Sequence, residues 1–166
     1  MHHWQKILMM AALMLSGSLY ADDDHEGDHH RQPNHTRVKA PAAWQAECGS
    51  CHMAYPPGML PPAAWKKHMD TLRQHYGSNA TLDAADEKAI RDFLQLASSE
   101  NRQPVPTSKP GEPPRITDTR WFQHQHDEIA PAIWKRKSVG SAANCMACHH
   151  GAAQGDFDED SVRIPR

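Results

Sequence analysis

The sequence of 166 residues predicts an all-α protein with two small helical domains in tandem. Apolar residues recur at helical spacing in several segments, and no alternating strand pattern of useful length is present. A five-residue motif, Cys-x-x-Cys-His, occurs once in each half of the chain, at residues 48–52 and 145–149. A proline-rich stretch lies between the two motifs and predicts the boundary between the domains.

Residues 1–21 have the pattern of a secretory signal peptide. Lys6 is the positive end, residues 7–15 are the apolar core, and small residues precede a cleavage site that we place after Ala21. The apolar core is shorter than the about 20 residues that span a bilayer, so an uncleaved anchor is the less favoured alternative. The sequence therefore predicts a soluble protein that is exported to the periplasm.

Residues 22–40 form a polar leader that we expect to be disordered. The leader is rich in Asp and His, and its histidines follow neither helical nor strand periodicity: His25, His29, His30 and His35. Because His-rich tracts bind metal ions, metal binding is the alternative to a solvated tail.

The N-terminal domain, residues 41–100, begins with two predicted helices. The first covers residues 42–51 and follows Pro41, since proline is favoured at the start of a helix. The second covers residues 62–76 and ends at Gly77, a residue type that commonly follows a helix.

A third helix of this domain is predicted to begin at Asp83, a good N-cap. Its inward-facing residues are Ile90, Phe93, Leu94 and Ala97. Residues 101–114 then form a polar, proline-rich linker that can neither continue a helix nor pack well. The linker leads to the C-terminal domain, residues 115–166.

The C-terminal domain is predicted to contain two helices. Thr117 or Asp118 caps the first helix, which is broken at Pro131. Ser141 or Asn144 caps the second helix, which carries the second motif.

The two motifs use all four cysteines of the chain and predict two covalent attachment sites for haem c. Two thiols one helical turn apart can each add to a vinyl group of one porphyrin, and the adjacent imidazole can then bind the iron. The predicted attachment residues are Cys48, Cys51, Cys145 and Cys148, and the predicted proximal ligands are His52 and His149.

Zinc sites, redox-active dithiols and disulfides are the alternatives for Cys-x-x-Cys. A zinc ribbon separates its two cysteine pairs by roughly 15 to 20 residues, whereas Cys51 and Cys145 are much farther apart. A redox dithiol is expected in an alternating strand and helix pattern, which the sequence lacks. None of these sites requires a histidine directly after the second cysteine.

The charge balance does not suggest binding to nucleic acid. The chain has 18 Lys and Arg against 20 Asp and Glu, and loss of Lys6 with the signal peptide changes the formal net charge from -2 to -3. We therefore expect the partners to be proteins that make charged, transient contacts.

The sixth ligand of each iron decides whether that iron transfers electrons or binds a substrate. The candidate histidines outside the leader and the motifs are His68, His75, His124, His126 and His150. At about 100° per residue, His126 lies on the side of Phe122 and Ile129, whereas His124 points away from it. His150 is poorly placed because it directly follows a proximal ligand.

Helical geometry leaves the distal ligand of the first iron open. His68 and His75 point in nearly the same direction, and they are two turns, or about 10 Å, apart on one helix. At most one of them can reach a given iron. The rival ligands are Met53, Met59 and Met69, and a Met/His pair would raise the reduction potential.

Several stretches of the sequence together resemble one known family. They are residues 47–57, 72–77, 115–117, 121–122, 141–149, 155–159 and 162–165. Through these stretches the chain is similar to the bacterial periplasmic dihaem cytochrome c proteins. The resemblance extends over nearly all of residues 41–166 and does not include the leader.

The resemblance implies two cytochrome c-like domains, each with one low-spin, bis-histidine haem c. By position it pairs His52 with His75 and His149 with His126. It implies an electron-transfer protein and not an enzyme, with a small oxygen-binding monohaem cytochrome and a membrane b-type cytochrome as redox partners. His124 departs from the family, which usually has a basic residue there, so an exchange of roles between His124 and His126 stays open.

The alternative function is that of an enzyme, a dihaem peroxidase or a small-molecule reductase with one open iron. Such an enzyme requires one distal histidine to be absent or displaceable, and no acid–base constellation stands out in the sequence. The chain is also short for a dihaem peroxidase. A haem-based gas or redox sensor is disfavoured because no signalling or membrane domain is attached.

Overall fold

The structure, a computed structural model, describes residues 38–166, all of which belong to one compact unit. This part of the chain contains helices and turns and no β-strand, apart from an isolated bridge between His75 and Ser78. The prediction of an all-α fold is confirmed. The predicted signal peptide and nearly all of the predicted leader lie outside the described residues, and the division into two domains stays a prediction.

The N-terminal half is built on two helices, α1 (Pro62–Asp70) and α2 (Ala84–Ala97), which pack against each other. As predicted, Asp83 caps α2, and its carboxylate accepts hydrogen bonds from the backbone N–H groups of Ala85 and Asp86. The core between the helices consists of Leu60, Ala64, Trp65, Met69, Ile90, Phe93, Leu94 and Ala97. This core is the main apolar cluster that positions the first motif.

Helix α1 ends at Asp70, so the prediction of one helix over residues 62–76 is wrong. The next residue, Thr71, donates its hydroxyl hydrogen bond to the carbonyl of Lys67 at 2.7 Å. The side chain thereby competes for a carbonyl at the helix end, as β-branched hydroxyl residues often do. A separate 3₁₀ turn, Leu72–Gln74, follows.

The chain reverses direction directly after this 3₁₀ turn. His75 and Ser78 exchange two backbone hydrogen bonds, of 2.8 and 3.0 Å, across the reversal. Tyr76 and Gly77 between them have positive φ values of 50° and 91°. Gly77 is therefore needed for a tight turn and not as the cap of a helix, and His75 lies on this turn rather than on α1.

Residues 101–114 contain no regular helix, as predicted, but they pack closely, which was not predicted. Pro113 and Pro114 are among the most completely buried residues of the described chain. The His68 ring donates from Nε2 to the carbonyl of Pro114 at 2.8 Å, and the Tyr76 hydroxyl donates to the carbonyl of Pro113 at 3.1 Å. The linker is thus held against the first half by hydrogen bonds to its own carbonyls.

The C-terminal half contains two short helices, α3 (Arg120–Gln125) and α4 (Pro131–Trp134). Thr119 caps α3, so the prediction of Thr117 or Asp118 as the cap is wrong. Its Oγ1 accepts from the backbone N–H of Phe122 at 3.0 Å. The first helix was predicted to be broken at Pro131, but α3 already ends at Gln125, and Pro131 instead occupies the first position of α4, where proline is tolerated.

The second motif lies on a 3₁₀ turn, Cys145–Ala147, rather than on a longer helix. Asn144 occupies the predicted cap position, but its side chain donates instead to the carbonyl of Val139 at 3.0 Å. Within residues 115–166 the buried apolar side chains are only Phe122, Val139 and Ala152. The C-terminal half therefore has a much smaller core than the N-terminal half.

We expect Thr119→Ala to lower the free energy of unfolding by about 1 kcal/mol, because loss of an N-cap side chain costs roughly that amount. Thr119→Ser keeps the oxygen and is the matched control, with stability close to that of the unchanged protein. Urea unfolding of the haem-loaded protein, followed by far-UV circular dichroism, measures both. An equal loss in the two variants would mean that the threonine methyl group, not the cap, stabilises α3.

Candidate haem sites

The first motif follows a π-helical turn, Trp44–Cys48, which replaces the predicted helix over residues 42–51. Its first cysteine is the last residue of this turn, and the rest of the motif lies in the bend that follows. The carbonyl oxygen of Gln45 comes so close that a Cβ on Gly49 would lie 2.2 Å from it. A glycine is therefore required between the two thiols.

The four cysteines are unpaired thiols. Burial, with a smaller effect of the Glu47 carboxylate, raises the pKa of Cys48 to about 11. Burial also raises the pKa values of Cys145 and Cys148. Among residues 38–166, no group of three or more His, Cys, Asp or Glu could hold a metal ion.

The ring of His52 is oriented by a hydrogen bond to the backbone. Its Nδ1 donates to the carbonyl of Met53 at 2.7 Å, which places the proton on Nδ1 and leaves Nε2 able to bind iron. The ring of Tyr55 stacks on the same imidazole, with ring centres 4.8 Å apart and an angle of 24° between the planes.

His75 faces His52 at the first motif. The centres of the two rings are 6.2 Å apart. Metal–imidazole bonds are about 2 Å long, so two imidazoles on opposite sides of one iron have ring centres about 6 Å apart. The turn after α1 therefore places His75 at the separation that a bis-histidine iron requires.

His68 is buried next to this pair, with its ring centre 5.7 Å from that of His75. Its Nε2 is already used in the hydrogen bond to the carbonyl of Pro114. Burial lowers the pKa of His68 to about 4, so the ring is neutral. His68 thus acts in this structure as a buried donor to the linker.

The three methionines considered as ligands of the first iron are all buried. Met69 belongs to the core between α1 and α2. Met59 lines a cavity at the second motif rather than the first. The histidine pair, and not a Met/His pair, is the arrangement that these positions favour.

At the second motif, His149 follows the 3₁₀ turn and its backbone N–H bonds to the carbonyl of Cys145 at 2.8 Å. The C-terminal segment packs on the motif through a hydrogen bond of 3.0 Å from the backbone N–H of Arg163 to the carbonyl of Cys148. The ring centre of Phe157 lies 5.4 Å from that of His149. Segments that precede and follow His149 in the chain therefore both contact the second motif.

His126 faces His149, with ring centres 6.1 Å apart. It lies at the C-terminal end of α3, and its Nδ1 donates to the carbonyl of Phe122 at 2.8 Å. Its ring also stacks on the Phe122 ring at 4.1 Å. As at the first site, this orientation leaves Nε2 able to bind an iron between the two rings.

His124 and His150 are not brought to either site. The side chain of His124 is 80% exposed and lies 3.6 Å from the carboxylate of Asp127. His150 is exposed. Of the histidines considered for the second iron, only His126 meets the proximal ring.

The residues present fit two haem groups, because each motif places two cysteines and an imidazole near a second imidazole, with ring centres 6.2 Å apart at the first site and 6.1 Å apart at the second. The Nδ1 atoms of His75 and His149 are buried and have no hydrogen-bond partner within residues 38–166. Burial also lowers the pKa of both rings, with a further contribution from the facing histidine in each pair. Neutral imidazoles are the form that binds iron.

An apolar cavity at the second site provides space for a flat hydrophobic group. The cavity is open to solvent, and the empty space between and in front of its walls is about 820 Å³. Its walls include Trp121, Phe122, Ile129, Ile133, Trp134 and Phe157, together with both cysteines and both facing histidines of the site. A porphyrin here would replace the core that this half of the chain lacks.

Sequence reasoning did not identify two residues that connect the sites. Met59 comes from the N-terminal half but lines the cavity of the second site. Tyr55 stacks on His52 and donates its hydroxyl hydrogen bond to the carbonyl of Ala143 at 2.7 Å. Both contacts join residues far apart in the chain, and no local pattern in the sequence indicates them.

Comparisons with known proteins identify a family and similar solved structures. A sequence model of the dihaem cytochrome c family matches residues 44–157. The chain is similar to the crystal structure of a diheme cytochrome type c from Shewanella baltica OS155, with 36% identity, a TM-score of 0.65, and coverage of 77% of this chain and 95% of that chain.

It is also similar to a diheme cytochrome c from Rhodobacter sphaeroides, with 33% identity, a TM-score of 0.60, and coverage of 72% of this chain and 98% of that chain. A search of curated proteins found no match.

We expect His68 to make the protein less stable as the pH falls from about 6.5, the ordinary histidine value, towards about 4. Burial disfavours the charged ring in the folded chain, so protonation of the unfolded chain shifts the equilibrium towards unfolding. His68→Gln keeps an N–H donor for Pro114 but does not titrate, and it should weaken this pH dependence. Urea unfolding midpoints at several pH values measure the slope.

The exposed His124→Gln is the matched control and should leave that slope unchanged. An unchanged slope in His68→Gln would contradict the assignment of His68 as a neutral buried donor.

Proposed function

The chain belongs to the dihaem cytochrome c family, and on that premise we propose that it transfers single electrons between redox proteins through two six-coordinate, bis-histidine haems. The family is one of haem-based electron carriers, and two haem c groups are the cofactors that membership assigns to this chain. When bound, each haem supplies an iron that changes between the ferrous and ferric states.

One observation carries the proposal of six-coordinate iron. At both motifs a second imidazole faces the proximal one, with ring centres 6.2 Å apart at the first site and 6.1 Å apart at the second. The proposed ligand pairs are His52 with His75 and His149 with His126. A haem held by these pairs would take both of its remaining iron ligands from the protein, and neither site would then have a position for a substrate.

Backbone carbonyls orient one ring of each pair. In each pair one imidazole donates from Nδ1 to a backbone carbonyl: His52 to that of Met53, and His126 to that of Phe122. Such outer hydrogen bonds fix the orientation of the ring and increase its basicity as a ligand. Little ligand movement is then needed when the oxidation state changes, which favours fast electron exchange.

The proposed location is the periplasm. The predicted signal peptide, residues 1–21, supports export. In the part of the chain that the structure describes, no helix is long and apolar enough to cross a membrane.

The proposed partners are a small monohaem cytochrome and a membrane b-type cytochrome. This proposal rests on the family resemblance of the sequence. The near balance of acidic and basic residues is compatible with transient, charge-assisted contacts between redox proteins.

Low-temperature EPR and near-infrared magnetic circular dichroism of the oxidised, haem-loaded protein test the proposal. Two low-spin irons with bis-histidine signatures are the expected result. A His/Met signature would mean that one distal assignment is wrong. A high-spin iron with an open position would overturn the carrier proposal in favour of the enzyme.

We expect His126→Met to raise the reduction potential of the second haem alone, because a Met/His pair has a higher potential than a bis-histidine pair. Axial ligands set haem potentials over a range of about 0.8 V, so the shift should be well resolved in a potentiometric titration. His124→Met is the matched control, since this exposed residue lies two positions earlier and should change neither potential.

A shift of both potentials by equal amounts in His126→Met would contradict the assignment of one ligand pair to each site. His75→Met provides the same test for the first haem, and it should leave the second potential unchanged.

A further inference from the structure

Tyr55 contacts both candidate haem sites. Its ring stacks on the proximal His52, with ring centres 4.8 Å apart. Its hydroxyl donates a hydrogen bond of 2.7 Å to the carbonyl of Ala143, two residues before Cys145 of the second motif. These two contacts connect parts of the chain that are separated by 88 residues.

The segment around Tyr55 is fixed in place. Pro56 and Pro57 follow it and restrict the backbone. The indole N–H of the buried Trp65 donates to the carbonyl of Pro57 at 2.7 Å, which anchors the segment to α1. The phenol is therefore presented by a stiff segment that packs on the core of the first half.

The acceptor side is anchored as well. The Asn144 side chain donates to the carbonyl of Val139, whose own side chain is almost completely buried. The backbone N–H of Ala147 donates to the carbonyl of Asn144 at 3.1 Å. The bond from Tyr55 thus reaches an exposed backbone carbonyl next to a turn that is held by these hydrogen bonds.

The same segment makes a second contact with the other site. Met59, four residues after Tyr55, is buried and lines the cavity that contains His126 and His149. One stretch of the N-terminal half, residues 53–60, therefore contributes to the surroundings of both sites.

We propose that Tyr55 is the positioning residue that couples the two sites, since it holds the His52 ring against the turn that carries Cys145 and so sets the rate of electron exchange between them. This inference rests on the proposed function. In the exchange one electron leaves one iron, which is oxidised, and reaches the other, which is reduced. Tyr55 keeps its proton and its electrons.

The path that Tyr55 completes between the two sites consists of few contacts and bonds. It runs from the His52 imidazole across the stacked phenol ring, through one hydrogen bond to the carbonyl of Ala143, and then along two residues to the Cys145 thiol. Removal of the hydroxyl leaves a gap in this path and releases the turn, while the stack on His52 is preserved.

Tyr55→Phe tests the proposal, and Tyr76→Phe is the matched control. Tyr76 also lies beside a proposed iron ligand of the first site, and its hydroxyl also donates to a backbone carbonyl, that of Pro113. It does not bond to the second motif. Both variants lose one tyrosine hydroxyl and one hydrogen bond, so they differ chiefly in which segments that bond connects.

Two measurements are made on the haem-loaded variants. NMR exchange spectroscopy of half-reduced protein gives the rate of electron exchange between the sites, and we expect it to be severalfold slower in Tyr55→Phe and unchanged in Tyr76→Phe. Amide hydrogen exchange of Ala147, Cys148 and His149 should be about fivefold faster in Tyr55→Phe only, the factor for one net hydrogen bond.

Unchanged electron exchange in Tyr55→Phe would overturn the proposal, even with faster amide exchange, because Tyr55 would then only stabilise the turn. EPR of the unchanged protein separates this failure from that of the proposed function. An open iron there removes the carrier proposal, whereas two bis-histidine irons with unchanged exchange in Tyr55→Phe remove only the coupling by Tyr55.

Discussion

The placement of two imidazoles at each motif, with ring centres 6.2 Å and 6.1 Å apart, is the constraint on which the rest of the structure depends. At each site the proximal ring is supplied by the motif and the facing ring by the end of a short helical segment: His75 after a 3₁₀ turn, and His126 at the end of α3. The C-terminal end of a helical segment suits the placement of such a ring, because the backbone there can change direction without breaking many helical hydrogen bonds. In each pair one ring is oriented by a backbone carbonyl, while the Nδ1 of the other is buried without a partner. A buried polar group without a partner is costly, so the packing around His75 and His149 must offset that cost.

The same constraint explains why the two halves differ in packing. The first half has its own apolar core between α1 and α2, and it holds the linker through His68 and Tyr76. The second half buries few apolar side chains and instead surrounds a cavity with aromatic and branched residues. A chain segment of this size gains little stability from its own core, so the porphyrin must contribute apolar surface there. We infer that folding of the second half depends on haem more strongly than folding of the first.

Local features of the sequence predicted much of this arrangement. The cap and buried face of α2 followed from Asp83 and from apolar spacing, and periodicity separated His126 from His124 although α3 ends at Gln125. Long-range contacts could not be predicted from the sequence in the same way. The helix containing His68 was predicted to continue because its apolar pattern does, whereas the side chain of Thr71 ends it. The burial of Pro113 and Pro114 depends on donors elsewhere in the chain, so composition alone suggested a linker without packing.

The two sites are more closely connected than a pair of domains joined by a linker would be. Residues 53–60 present Tyr55 to the second motif and Met59 to its cavity. A change in the position of either motif must therefore disturb a contact that the other site shares. Energetic coupling of this kind needs a physically continuous set of packed and hydrogen-bonded groups, which Tyr55 and Ala143 complete here. For a protein that exchanges electrons between two centres, a fixed separation matters more than the identity of any single surface residue, and these contacts provide it.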